Sequence, residues 1–154
     1  MAHSGTFVGA SHGFGYQRVD FISTGGTQLT PADAGKILVL DADMASSAAA
    51  SIYLPLLADV DMGCTFKFII DANVSNDLNI AHHSSDSASI YGNVASADGS
   101  GGESSNGTAQ AEVSFISNCV LGDMCELTKV GNGTTSWWQL SGLQSDNNHM
   151  TIAT

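Results

Sequence analysis

The chain has 154 residues, which suits one domain with a real core and is too short for most large catalytic architectures. Apolar residues make up 43% and charged residues only 12%, so the chain is not of the disordered class and its polar surface must come from Ser, Thr, Asn and Gly. Fifteen acidic residues against four scattered basic ones (Arg18, Lys36, Lys67 and Lys129) give a net charge of −11, which leaves no basic patch for nucleic acid or an anionic membrane surface.

Residues 1–26 read as an N-terminal arm. His3 to Gly15 is rich in Gly and Ser, with isolated apolar residues Phe7, Val8 and Phe14 and neither helical nor strand periodicity. One strand is expected within the arm, at Tyr16–Ile22. Met1 to Gly13 carries no Lys or Arg and no apolar run, so a signal peptide is not expected. No apolar stretch is long enough for a membrane-spanning helix.

A β domain is expected over residues 27–154. Thr30-Pro31-Ala32-Asp33-Ala34-Gly35 reads as one short helical turn, capped by Thr30, opened by Pro31 and closed by a left-handed Gly35. Strand-like runs follow at Ile37–Leu40, Ser51–Leu54, Cys64–Ile70, Leu78–Ala81, Ser89–Val94, Glu112–Val120, Met124–Val130, Ser136–Leu140 and Met150–Ile152. Alternation places Phe66 and Phe68 inside with Lys67 outside, and puts Cys125, Leu127 and Lys129 on one face of their strand. Asn132-Gly133 is a tight-turn signal between the last two long strands. A second helical stretch is expected at Met44–Ala50. Asp98–Gly107 has no apolar residue and reads as a long mobile loop, and no repeat period is visible. Short strands spaced by turns describe an all-β sandwich or barrel.

The candidate chemistry is sparse. Gly9-Ala10-Ser11-His12-Gly13 matches the string of a nucleophile elbow but lacks the flanking strand and helix that expose such a serine. His82 and His83 are adjacent, so on a strand they point to opposite faces and do not chelate one ion. Asp41/Asp43 and Asp59/Asp61 invite a calcium reading, yet neither pair continues into a twelve-residue EF-hand loop; a site of another type stays an alternative to a solvated acidic surface. Cys64, Cys119 and Cys125 are odd in number and read as free thiols near the core, with a Cys119–Cys125 bridge as the alternative. Sequons at Asn73, Asn106 and Asn132 matter only in a eukaryotic secreted setting. In Trp137-Trp138, neighbours on a strand face opposite sides: Trp138 is expected inside with Gln139 outside, and Trp137 outside at a protein interface or a sugar. No cofactor motif is present.

From Thr27 to Gly142 the order of signals resembles a recurrent module of tailed-bacteriophage virion proteins. The matching pieces are Leu29-Thr30-x-x-Asp33-x-Gly35-Lys36 with an apolar strand ending in Leu40-Asp41, then Ile52-x-Leu54-Pro55 and Gly63-x-x-Phe66-x-Phe68. Gly122-Asp123-x-x-Glu126-Leu127 and Gly133-Thr134-x-x-Trp137 complete the set. The Trp doublet and the Gly-rich loop depart from the pattern. The resemblance implies a jelly-roll-like β-sandwich of about eight to ten short strands, most often used as a head decoration, or cement, protein. On this reading the chain is not an enzyme and needs no cofactor. It is a homotrimer on the outer surface of the virion head, bound to the major capsid protein and made in the host bacterial cytoplasm. Phe7, Phe14, Tyr16, Tyr53 and Trp137 are the expected capsid or trimer contacts. The rivals are a tail-fibre or receptor-binding tip that holds host carbohydrate through Trp137 or Tyr53, and a carbohydrate-binding module detached from an enzyme.

Overall fold

The computed structural model describes residues 15–19, 26–40, 49–99 and 101–153, with the side chains of 15–19 excepted. Its strands are β1 (Gly15–Val19), β2 (Thr27–Gln28), β3 (Lys36–Leu40), β4 (Ala50–Tyr53), β5 (Thr65–Ile70), β6 (Leu78–Ala81), β7 (Ile90–Ser96), β8 (Gly102–Ser104), β9 (Glu112–Phe115), β10 (Met124–Gly131), β11 (Ser136–Gln144) and β12 (Met150–Ala153). They form two sheets, one ordered β1-β3-β5-β10-β11-β7-β8 and the other β12-β9-β6-β4-β2. The chain is therefore the expected all-β sandwich.

The connectivity has its own character. Jelly rolls are antiparallel, whereas here β1-β3-β5 and β2-β4-β6 are each parallel, because the chain crosses from one sheet to the other after every strand. The first half is thus a coil, each turn adding one strand to each sheet. Positions 16, 37 and 67 share a row in the larger sheet, a step of 21 and then of 30. In the smaller sheet positions 27, 52 and 80 align, a step of 25 and then of 28. Unequal turns leave no sequence period to find. The second half then closes the sandwich, with β10 joining β11 and β5 antiparallel and β7 lying parallel to β11.

Period-two alternation fills the space between the sheets. The larger sheet contributes Leu38, Leu40, Phe66, Phe68, Ile70, Cys125, Leu127, Trp138 and Leu140. Facing them are Ile52, Leu78, Ile80, Val113, Phe115 and Met150. Phe66 meets Trp138 edge to face, centroids 5.7 Å apart. Phe66, Phe68 and Trp138 are buried as expected, Gln139 is exposed and Lys67 is half-exposed on the other face. Lys129 also points inward; its Nζ donates to the Leu57 and Val60 carbonyls, each at 2.6 Å, so the buried ammonium has partners.

The turn signals have physical counterparts. Pro31–Asp33 is a 3-10 turn; Asp33 Oδ2 accepts from the Thr30 amide at 3.0 Å, and its Oδ1 pairs with Lys36 Nζ at 3.0 Å. Asn132 Oδ1 accepts from the Thr134 and Thr135 amides and so shapes the β10–β11 hairpin. Two readings are corrected. Gly102–Ser104, expected within a mobile loop, is an edge strand: it pairs with β7 through its backbone and needs no apolar side chain. The run Glu112–Val120 is a strand only to Phe115, after which the chain turns and the Cys119 amide bonds to the Ile116 carbonyl. Most of Met44–Ala50 lies outside the described residues, and Ala50 itself opens β4. Edge strands β2 and β8 have two and three residues, too short to template pairing with another chain.

Candidate functional site

The proposed contact residues fall at separate places. Phe7 and Phe14 lie outside the described residues, as do Ser11, His12, Asp41 and Asp43. Tyr16 is in β1, in register with Ile37. Tyr53 is on the outward face of the smaller sheet, and its ring lies where a side chain on Gly26 would have to sit. Trp137 is on the outward face of the larger sheet, so the fold does not bring it together with Tyr53 in one sheet.

Around Trp137 there is a groove of about 640 Å³. Trp137 on β11 and Tyr91 on β7 meet edge to face, with centroids 6.3 Å apart and planes at 75°. The walls carry Asp86, Ser89, Asn132 and Gln139. Asp86 is held by its own backbone, whose amide donates to the His83 carbonyl, and its Oδ2 accepts from the Leu57 amide at 3.0 Å. Sequence reasoning missed Tyr91, Asp86, Ser89, Asn132 and Gln139 as site residues. Tyr91 carried a signal, since it alternates with Ile90 and so had to face outward.

A second outward feature crosses the same sheet. Val39, Ile69, Met124, Leu143 and Ala95 stand in one row across β3, β5, β10, β11 and β7. Four interstrand steps make this row about 19 Å long. Leu143 is 47% exposed. The next row places Lys67 directly opposite Glu126.

At the end of β11 lies a polar cluster that invites a catalytic reading. His149 Nδ1 is 2.8 Å from Asp123 Oδ2 and 3.0 Å from Ser145 Oγ. In a hydrolytic triad the carboxylate and the serine use different ring nitrogens. Here they share one, so the imidazole does not link them in relay and the cluster acts as a clasp. Asp123 also accepts from the Val120 amide at 3.0 Å and the Ser145 amide at 2.7 Å. Gln144 Oε1 accepts from the His149 and Met150 amides, which fixes the turn into β12.

Burial by itself raises the Asp123 carboxyl, but the hydrogen bonds from Val120, Ser145 and His149 outweigh it and hold the group below its ordinary 3.8. A carboxylate depressed on folding stabilises the protein above its unfolded value, and that contribution is lost as pH falls through the folded value. Urea midpoints should therefore drop as pH is lowered below about 4, and Asp123→Asn should be less stable at neutral pH with a flatter acid limb. A variant with an acid limb as steep as the wild type would show that Asp123 is not a source of this dependence.

The remaining candidates are occupied or inert. His82 Nδ1 lies 2.7 Å from the His83 carbonyl, and His83 Nδ1 accepts from the Ser85 amide at 3.0 Å. Among the described residues no group of three or more His, Cys, Asp or Glu is placed to hold a metal ion. All three cysteines are free thiols. Burial pushes the Cys119 thiol up to about 12, aided by the Asp123 charge, and burial also raises Cys125 and Cys64. Raised thiols are poor nucleophiles at neutral pH.

Comparison with protein-family models, curated proteins and solved structures gives no match.

Proposed function

We propose that the chain is a structural protein of a tailed-phage virion. In this reading it is a non-enzymatic decoration protein that binds the major capsid protein on the outer head surface as a homotrimer and stiffens the shell. The observation that carries the reading is the apolar row Val39–Ile69–Met124–Leu143–Ala95. It is a contiguous strip of apolar side chains on the outward face of the sheet, which suits docking more than chemistry. Support also comes from the ordered string of motifs. In the fold these are turn and core positions: Gly35 and Gly63 at positive φ, Leu54, Phe66 and Phe68 in the core, and Asp123 in the clasp. The clasp geometry and the raised thiols argue against hydrolytic or thiol catalysis.

A tail-fibre or receptor-tip role draws on one observation, the aromatic groove at Trp137. Copy number separates the two. Quantitative mass spectrometry of purified virions should give hundreds of copies per particle for a head protein, and Leu143→Asp should lower occupancy without loss of folding. A handful of copies per virion would place the protein on the tail instead.

A further inference from the structure

We propose that the groove between β7, β11 and the β10–β11 hairpin is a binding site for a neutral carbohydrate. The proposal rests on the groove alone and holds whether the chain sits on a head or a tail. The groove volume of about 640 Å³ is that of an ordinary small-molecule site. Trp137 and Tyr91 are both half-exposed, and their edge-to-face contact holds the indole in place. A fixed aromatic face is a platform for the C–H face of a pyranose ring.

The polar groups around that platform come from different segments: Asp86 and Ser89 before β7, Asn132 from the hairpin turn, and Gln139 from β11. Carboxylate, hydroxyl and amide groups together both accept and donate, which matches a ring of sugar hydroxyls. Ser89 also lines the groove, although its hydroxyl is buried beneath the surface.

The chemistry also says what is excluded. Asp86 and the net charge of −11 disfavour an acidic sugar or a phosphate. A quaternary ammonium is best held in a cage of several aromatic faces, whereas the groove offers one edge-to-face pair.

The test uses the full chain. Methyl glucoside, methyl galactoside, N-acetylglucosamine and their tetrasaccharides are titrated by calorimetry and followed by the indole N–H resonances. Tetramethylammonium serves as the cation control. At least one neutral sugar should bind and move the Trp137 resonance more than that of buried Trp138. Trp137→Ala should weaken that binding about tenfold or more, and Trp137→Phe should recover part of it. If Trp137→Ala does not fold, exposed Gln139→Ala should still weaken binding. The proposal is overturned if none of these sugars binds at millimolar concentration, if binding leaves the Trp137 resonance unmoved, or if only tetramethylammonium binds.

Discussion

Phe68→Ala is expected to remove about 3–5 kcal/mol of stability, a large part of the 5–15 kcal/mol typical of a domain. Phe68 is completely buried in β5, a central strand of the larger sheet, and is in register with Leu38 on one side and Cys125 on the other. Both neighbours lie on backbones fixed by the sheet, so they cannot collapse into the space left by the ring. The denaturant midpoint should fall sharply, with loss of cooperative unfolding if the remaining stability is small. An unchanged midpoint would mean that β5 presents its other face to the core, since a one-residue slip exchanges the two faces.

Gly92→Ala is expected to destabilise by about 2–4 kcal/mol through strain and overpacking, although it adds only one methyl group. Gly92 has φ of 144°, in a region that residues with a side chain rarely adopt. A Cβ there would lie 2.0 Å from the Leu140 carbonyl oxygen on the parallel neighbour β11. Relief requires separating β7 from β11, the pair that carries both Tyr91 and the register partner of Trp138. Thermal unfolding of Gly92→Ala checks this. A melting temperature equal to that of the wild type would show that the two strands do not approach so closely.

Much of the fold was legible because it rests on local alternation. In β5 and β10 buried and outward residues alternate along the strand, and the Trp137–Trp138 split follows from the same rule. Strands β2 and β8 left no such trace, since two or three backbone-paired residues have no apolar pattern to show. The parallel coil was hidden by turns of unequal length. The groove was illegible for a different reason: Asp86, Tyr91, Asn132 and Trp137 meet only because β7 lies parallel beside β11, far from it in sequence. The clasp likewise joins Asp123 to His149, 26 residues apart.

A rigid subunit that contacts several shell proteins at once gains from tethering, so joined weak contacts exceed single affinities by roughly 10²–10⁴. A ligand of the assembled shell alone stabilises it by about 2.7 kcal/mol per site at one hundred dissociation constants. The proposed cement role is tested most directly by thermal DNA release from heads stripped of this protein and then decorated again. Stripped heads should release DNA at a lower temperature, and added wild-type protein should restore the original value while Leu143→Asp does not. Equal release temperatures for stripped and decorated heads would contradict that role.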